Sequence, residues 1–374
     1  MGYFHHSFIH KKSMRNVHLL SDVILIVVMS LPMSCTPDSK SGFADVHRSF
    51  EVQSFKDQKL PKSSKLELGT VLAPLFIFFH DSLLFVVADG LDNNITVYNT
   101  TKDYSLLGSF VPRGEGPEEM LSLSRMDFNS DGTFWAHDIV RGQLKKLELV
   151  VKTDTVYSIG RESVPLRFPA MNIFFTYPDN VVSTTQDINP LTRFYVHDMQ
   201  GNRKKEVGEY PSYERQIPPM AMVEVFNGWV SVHPDKKKFA LAYEWTDLIE
   251  FYNSEFTLVK RIHGPHIFMP QFELKSRGNA MVMMRKADLT KFAYQGLTSN
   301  SDEIFLLYAN GKTVAKGAGE EAFHYNTIVT IDWDGNPQAL YELDHKVISI
   351  CVDWKKRIIY GLDRVESEIY AFPF

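Results

Sequence analysis

The sequence predicts an all-β fold, a six-bladed β-propeller, over residues 66–374. From Leu66 onward, runs of four to seven β-branched and aromatic residues alternate with turn residues every eight to twelve positions, a pattern typical of sandwiches, barrels and propellers. A spacing of 48 to 67 residues between equivalent turns matches one four-stranded blade per unit, and six such units fit the length. The equivalent turn residues are Asp81, Asp131, Asp179, Asp235, Asp302 and Lys355.

Each of the first five units supplies four candidate strands in succession, as a blade requires. These units span residues 75–111, 124–160, 173–207, 228–262 and 293–343. The last unit, 347–372, supplies only three, so we expect a strand at 67–71 to complete it. Such closure joins the two ends of the domain and leaves no open seam between the first and last blades.

Residues 264–292 fit the repeat least well. Met281, Met283 and Met284 occur there without clear alternation, so we expect an excursion between blades that contains a helical turn. Methionine fills irregular apolar gaps, and packing is therefore its expected role here, with a metal or ligand surface as the alternative.

The N-terminal residues are typical of a secretion signal. An apolar stretch of eleven residues, 23–33, follows Lys11, Lys12 and Arg15, which is the order found in signal peptides. At 1.5 Å per residue this stretch covers about half of a roughly 30 Å hydrocarbon core, so we do not expect a permanent membrane span. Met14 could be the true start, because the residues after it already contain the basic, apolar and small-residue parts.

The end of this signal, Leu31-Pro32-Met33-Ser34-Cys35, resembles a bacterial lipobox, in which cleavage precedes a cysteine that receives diacylglycerol. We therefore expect a lipoprotein signal peptide at 1–34 and lipidation at Cys35, with an ordinary secreted protein cut nearby as the alternative. Two or more acyl chains suffice for stable anchoring. Residues 35–65, rich in Ser, Lys, Asp and Pro, then form the lipid anchor and a flexible tether.

Composition and charge exclude several classes of protein. Apolar residues make up 44% of the 374 residues and charged residues 23%, as in ordinary folded proteins. The net charge of −5 is spread without a basic stripe, so a nucleic-acid partner is not expected. Cys35 and Cys351 are the two cysteines, too few for a disulfide framework or a cysteine-rich metal site. Cys351 lies in an alternating strand and is expected in the core.

Several short motifs imitate known sites but lack the required context. Residues 317–322 resemble a dinucleotide fingerprint without a βαβ unit. Asn310-Gly311 is more typical of a β-turn than of the end of a P-loop, and His263 and His266 lack a third metal ligand. No catalytic residue, metal ligand or cofactor is therefore predicted from these motifs.

The most distinctive local string, Arg113-Gly-Glu-Gly-Pro-Glu-Glu119, joins the first two blades. Glycines flanked by charges allow backbone amides to face a ligand. On this basis Arg113, Glu115, Asp138 and Arg141 are candidate binding residues at the axial mouth. The structural alternative is a tight connection in which Glu119 accepts hydrogen bonds from backbone amides.

Asp89, Asp138 and Asp198 each end a strand, in three different blades. They could converge on the axial channel and hold a divalent metal, which is where metal-dependent six-bladed lactonases place acidic and amide ligands. The ordinary role of an aspartate at a strand end is to accept hydrogen bonds from turn amides.

Three regions resemble the TolB-like six-bladed β-propeller lipoproteins that are found mainly in Bacteroidetes. They are the string 113–119 with the following 127–138, the run 293–311, and 330–337 continuing to 369–374. The resemblance covers most of the chain from about residue 66, although Glu118 stands where the family usually has glycine. It implies a propeller and frequently a lipid anchor, and it implies no settled activity.

These observations favour a membrane-anchored propeller that binds a small-molecule ligand or an envelope protein. The expected location is the bacterial outer membrane, with the N-terminal lipid in the bilayer. The sequence does not decide whether the propeller faces the periplasm or the cell surface. A propeller enzyme of the metal-dependent lactonase or lyase type, with an axial site, is the alternative. A fold alone does not decide between them.

Overall fold

The computed structural model describes residues 48–69, 72–89, 92–129, 131–152, 155–158, 162–166, 170–185, 192–213, 217–277, 280–315 and 317–374. In these ranges, antiparallel sheets form six blades in a ring, and the predicted six-bladed β-propeller is confirmed. The predicted signal peptide, Cys35 and the first part of the predicted tether lie outside the described residues.

Blades one to three are regular four-stranded meanders. From the axis outward, blade one consists of Pro74–His80, Leu83–Ala88, Asn93–Asn99 and Ser105–Pro112. Blade two consists of Leu123–Phe128, Phe134–Asp138, Gln143–Leu147 and Ser163–Pro165. Blade three consists of Ala170–Thr176, Asn180–Thr185, Phe194–His197 and Arg203–Val207.

Blades four to six continue the meander. Blade four consists of Gly228–Val232, Lys238–Tyr243, Leu248–Asn253 and Leu258–His263. Blade five consists of Tyr294–Ser299, Glu303–Tyr308, Tyr325–Asp332 and Pro337–Val347. Blade six has Ser349–Asp353, Ile358–Asp363 and Glu368–Pro373 from the C-terminal end of the chain.

Residues 48–65 run along the outer edges of these three blades. Arg48–Ser49 pairs in parallel with the last strand of blade four, and Asp57–Lys59 with that of blade five. Ser64–Lys65 pairs antiparallel with Glu368–Pro373 and completes blade six. Closure by an N-terminal strand is thus confirmed, but the strand is Ser64–Lys65 and not 67–71. The tether prediction fails for residues 48–65, because their backbone groups pair with three exposed sheet edges.

Two inserted hairpins change other predicted boundaries. Leu149–Lys152 and Thr155–Ser158 pair with each other outside blade two, so the fourth strand of that blade is Ser163–Pro165 and not 156–160. Phe272–Arg277 and Ala280–Arg285 form the predicted excursion between blades four and five. The excursion contains a 3-10 turn, Ala287–Leu289, but the methionine-rich residues form a strand. The other short helices are Val52–Ser54, Pro219–Val225 and Glu320–Phe323.

The core consists of apolar side chains between neighbouring blades. Phe174 of blade three packs on Phe239 of blade four, with ring centroids 5.0 Å apart, and Phe194 meets Phe239 and Tyr252 edge-on. All four rings are almost fully buried. Aromatic pairs in these geometries add to the stabilisation from burial, so each blade depends on its neighbours.

A meander of this kind has two distinct faces. The turns from first to second and from third to fourth strand lie on one side, which we call the turn face. The connections from second to third strand and from blade to blade lie on the other side, which we call the loop face. The predicted turn residues, such as Asp81, Asp235 and Asp302, all fall in first-to-second turns, and the predicted register of the repeat is therefore confirmed.

Candidate functional site

The loop face carries its longest segments side by side, over blades four and five. Residues 208–227 connect blades three and four, 264–293 connect blades four and five, and 309–324 join two strands within blade five. The helix Pro219–Val225 contacts the strand Ala280–Arg285 across the first two of these segments. Long connections on a rigid scaffold are where binding residues concentrate, which makes this part of the loop face the first place to look for a site.

The predicted binding residues come together elsewhere on the loop face, between blades one and two. Arg113 forms an ion pair with Asp89, and Arg141 Nη1 donates to the Glu115 carbonyl at 2.8 Å. Asp138 is fully buried. Its carboxylate accepts hydrogen bonds from the Leu121 amide at 2.8 Å and the Arg141 amide at 3.1 Å.

The glycine-proline loop itself is held by internal bonds. Glu119 Oε2 accepts from the Gly116 amide at 2.7 Å, as the structural alternative predicts. Lys145 Nζ donates to the carbonyls of Pro117 and Glu119. The loop therefore uses its polar groups to fix its own conformation, and a binding role for these residues stays a prediction.

The three strand-end aspartates do not converge. Asp89 and Asp138 lie on the loop face, but Asp198 begins a third-to-fourth turn on the turn face, where its Oδ1 accepts from the amides of Gln200 at 3.0 Å and Asn202 at 2.8 Å. Within the described ranges, no three His, Cys, Asp or Glu side chains meet in a geometry that could hold a metal ion. These three aspartates therefore do not form the predicted axial metal site.

The remaining motifs have structural explanations. Ala309 to Lys312 form a β-turn, with Asn310 and Gly311 at positive φ, as predicted for Asn-Gly. Cys351 is buried, and burial raises the pKa of its thiol well above the ordinary value, so it is a core residue. Residues 317–322, which resemble a dinucleotide fingerprint, lie in a loop with a 3-10 turn. His266, one of the two histidines of the short pair, donates a hydrogen bond from its backbone amide to Asp247.

Glu244 begins the candidate site that the sequence did not indicate. It follows the second strand of blade four, and its Oε2 accepts a hydrogen bond from Asn227 Nδ2 at 2.8 Å. Burial of the carboxyl group raises its pKa from 4.5 to about 7, although hydrogen bonds from Asn227 and Trp245 and the Arg285 guanidinium oppose the rise. A carboxyl that exchanges its proton near neutral pH is typical of functional sites.

Two polar atoms whose side chains interact electrostatically with Glu244 are buried and have no hydrogen-bond partner among the described residues: Arg285 Nε and Tyr325 Oη. The Arg285 guanidinium lies 4.1 Å from the Trp245 ring centroid, and Arg285 Nε is 3.7 Å from Glu224 Oε1, too far for a hydrogen bond. Burial, together with the Glu244 charge, raises the pKa of Tyr325. Buried polar groups are normally paired, so two unpaired atoms beside a carboxyl group with a raised pKa make this part of the loop face the candidate site.

A neighbouring carboxylate on the same face, in contrast, accepts hydrogen bonds from protein groups. Asp247 is fully buried, and its carboxylate accepts from Tyr294 Oη at 2.7 Å, Tyr308 Oη at 2.8 Å and the His266 amide at 2.9 Å. A Cβ atom on Gly264 would lie 2.3 Å from Asp247 Oδ1, so only glycine fits there. Asp247 thus ties two connections to blade five.

Two depressions lie near described polar residues. A narrow cleft with about 180 Å³ of empty space borders Arg285, and as it stands it has no room for a water molecule. Its walls are Ala221, Glu224, Val225, Pro270, Phe272 and Arg285. A wider cavity with about 620 Å³ of empty space lies beside the N-terminal edge strands, but its polar groups, such as Asp332 and Gln338, bond to one another. Of the two depressions, the narrow cleft is the one that borders an unpaired atom, Arg285 Nε.

Three solved structures are among those to which this chain is similar. A structure from Bacteroides fragilis, described as an exported protein, is 12% identical, with a TM-score of 0.51, 87% of this chain covered and 98% of that chain. A DUF4221 family member from Bacteroides vulgatus is 9% identical (TM-score 0.49, 84% and 96% covered). Virginiamycin B lyase from Staphylococcus aureus is 11% identical (TM-score 0.44, 84% and 98% covered).

No match was found among curated proteins, and in the described part of the chain no helix has the length and apolar character needed to cross a bilayer. Identities this low are evidence of fold and not of activity. The family model described as TolB-like 6-blade propeller-like matches residues 54–355. The chain therefore belongs to the TolB-like six-bladed propeller family, as its sequence resemblance predicted.

Proposed function

We propose that the protein is an exported, lipid-anchored propeller that acts as a binding module of the cell envelope. Its binding surface is the part of the loop face over blades four and five. The observation that carries this proposal is the raised pKa of the buried Glu244 carboxyl group beside Arg285 Nε and Tyr325 Oη, two buried atoms without a partner among the described residues. Buried polar atoms are normally paired, and strongly shifted pKa values are frequent at functional sites.

The proposed cellular location rests on separate observations. The sequence has an apolar signal followed by a lipobox-like string that ends at Cys35, and the similar Bacteroides fragilis protein is described as exported. Lipidation at Cys35 would hold the propeller on the outer membrane. Its ligand would then be an envelope protein or a small molecule of the periplasm or the cell surface.

Site-specific photo-crosslinking in living cells tests the binding surface. A photo-reactive residue is placed at Leu289 on the loop face, which is 49% exposed, or at Tyr177 on the turn face, which is 51% exposed. We expect discrete crosslinked products from Leu289 and none above background from Tyr177, which is the matched control. Products from Tyr177 alone would contradict the proposal.

The address is tested independently with Cys35→Ala. We expect this variant to lose incorporation of a clickable palmitate analogue and to leave the membrane fraction, while the unmodified chain retains both. Proteolysis of intact cells then decides between the periplasmic and the surface orientation. Lipid incorporation that persists in Cys35→Ala would refute anchoring at this cysteine.

A further inference from the structure

A buried histidine on the loop face joins blades five and six. His324 ends the 309–324 connection of blade five and is 3% exposed. Its Nδ1 lies 3.1 Å from the Glu320 carbonyl oxygen, and its Nε2 accepts a hydrogen bond from the Arg364 amide of blade six at 3.1 Å. A carbonyl oxygen can only accept and a backbone amide can only donate. Nδ1 therefore carries the ring proton, and His324 is neutral with a bare Nε2.

A carboxylate lies beside the same ring nitrogen. Asp363 Oδ1 is 3.5 Å from His324 Nε2, and because both atoms are acceptors they form no hydrogen bond. Asp363 Oδ1 accepts from the Val365 and Glu366 amides at 3.0 and 3.1 Å, and Oδ2 is 2.8 Å from His345 Nε2. Burial opposes ionisation of Asp363, but these hydrogen bonds and the charges of both histidines hold its pKa below the usual value. The carboxylate is therefore an anion at neutral and mildly acidic pH.

Protonation of His324 requires a change of hydrogen-bond partner. A proton on Nε2 would point at the N–H group of Arg364, and two donors cannot share a hydrogen bond. Asp363 Oδ1 is the acceptor beside it, and a bond from a charged imidazole to a carboxylate is stronger than one between neutral groups. The ring must approach Asp363 to form that bond, and it leaves the Arg364 amide when it does so.

We propose that His324, Arg364 and Asp363 form a pH-sensitive latch between the 309–324 connection of blade five and the 363–367 turn of blade six. While His324 is neutral, its bond to the Arg364 amide holds the two segments in the described arrangement. When His324 is protonated, it exchanges this bond for one to Asp363, and the two segments move relative to each other. Histidine is the side chain that ordinarily changes charge between about pH 5 and 8.

Charged and titratable groups of both blades surround the latch. Glu320 and Arg364 form an ion pair across it, with side chains 42% and 34% exposed. His345 is 31% exposed and stacks on Tyr370, with ring centroids 3.9 Å apart. The groups that face His324 or its partner Asp363 are Glu320 and Glu321 of the 3-10 turn, His345 of the outer strand of blade five, and Arg364, Glu366 and Tyr370 of blade six. Both histidines face one carboxylate, so a test has to separate them.

The latch lies at the edge of the proposed binding surface. The 309–324 connection is one of the three long segments on the loop face over blades four and five, and Val365 in the facing turn is 46% exposed. The inference rests on the proposed function only in taking this connection as part of the binding surface. Since the described arrangement has the latch in its neutral form, we expect stronger crosslinking from Leu289 at pH 8 than at pH 5.5.

Nuclear magnetic resonance of the full chain, labelled with ¹⁵N, tests the latch itself. At pH 8 we expect the His324 ring to have a proton on Nδ1 and none on Nε2. On titration to pH 5 the ring should become protonated at both nitrogens. The Arg364 amide should then lose about 3- to 10-fold of its protection from hydrogen exchange, corrected for the intrinsic pH dependence, as expected for one lost hydrogen bond.

Two glutamine variants separate the histidines. In His324→Gln the side-chain oxygen can replace Nε2 as the acceptor for the Arg364 amide but takes up no proton, so protection of this amide should be equal at pH 5 and pH 8. The matched control, His345→Gln, removes the other imidazole at Asp363 and should keep the pH response. Thermal unfolding of each variant shows that it is folded.

A proton on His324 Nε2 at pH 8, or equal protection of the Arg364 amide at both pH values in the unmodified chain, would overturn the latch. So would a response that persists in His324→Gln or disappears in His345→Gln. If the partner exchange occurs but crosslinking from Leu289 does not depend on pH, the link between latch and binding is wrong. Partner exchange without crosslinks from Leu289 at either pH would contradict the proposed function and support the latch.

Discussion

The turn face and the loop face treat their polar residues differently. On the turn face, Asp198, Asn253 and Asp332 occupy equivalent turns of blades three, four and five. In each turn the side-chain Oδ1 accepts from the backbone amides two and four residues later, at 2.8 to 3.1 Å. On the loop face, the group around Glu244 leaves two buried polar atoms, Arg285 Nε and Tyr325 Oη, without partners among the described residues.

This difference separates residues that the fold requires from residues that it does not explain. The repeated turn residues satisfy backbone amides locally, so a propeller needs them whatever it binds. The turn face does have an insertion, the hairpin of Leu149–Lys152 and Thr155–Ser158, but its second strand lies against the outer strand of blade one, away from the axis. The group around Glu244 has no such local role in the fold, and for this reason we place the proposed binding surface on the loop face over blades four and five.

The largest expected effect tests whether Asp247 is structural although it lies on the loop face. Asp247→Ala leaves two buried tyrosine hydroxyls and the His266 amide without an acceptor. We expect a loss of about 3–5 kcal/mol in the free energy of unfolding, measured by urea denaturation. Asp247→Asn, which keeps one acceptor oxygen, should lose less; equal stability of Asp247→Ala and the unmodified chain would contradict this role.

The next largest expected effect is an increase in the free energy of unfolding, at Glu244. Glu244 has a folded-state pKa of about 7 against 4.5 when unfolded, so its contribution to stability is present below about pH 4.5 and is lost as the pH rises through 7. Glu244→Gln removes this loss. We expect the variant to gain up to about 3 kcal/mol over the unmodified chain at pH 8 and little at pH 5, measured by urea denaturation at both values. A gain independent of pH would contradict a raised pKa.

A smaller effect is expected from the turn face. Asp332→Ala removes the acceptor for the amides of Asp334 and Asn336. Because this turn is partly open to solvent, we expect a loss of about 1–2 kcal/mol and no change in binding at the loop face. Chemical denaturation and the photo-crosslinking assay measure the two quantities, and impaired crosslinking from Leu289 would weaken the distinction between the faces.

The smallest effect is expected at the predicted loop between blades one and two. Arg113 pairs with Asp89 at the surface, with side chains 42% and 47% exposed. Exposed pairs of this kind contribute about 0–1 kcal/mol. Arg113→Ala should therefore change the unfolding midpoint very little. A marked loss of crosslinking from Leu289 in this variant would instead indicate that the loop between blades one and two is part of the binding surface.

The blades could be predicted from the sequence because each is a local pattern. Alternating apolar strands and aspartates at one turn per blade reveal the period directly, and Asp81 and Asp302 lie in the expected turns. The edge strands at residues 48–65 could not be predicted, because Ser64–Lys65 and Asp57–Lys59 are short and polar. Their pairing depends on edges that the C-terminal blades provide far along the chain.

The candidate site could not be predicted for the same physical reason. Glu244 and Arg285 come from two connections and Tyr325 begins a strand of blade five, and no spacing in the sequence links the three. One local signal exists in Tyr243-Glu-Trp-Thr-Asp247, where two acids and a tryptophan follow a buried strand. Asp89 and Asp138 occupy the same position, at the end of the second strand, in blades one and two.

A high-resolution crystal structure of the full chain, purified from its native membranes without refolding, tests the central claim most directly. The account predicts non-protein density within hydrogen-bond distance of Arg285 Nε or Tyr325 Oη. If both atoms instead bond to protein groups, the claim that the loop face over blades four and five is a binding surface is contradicted.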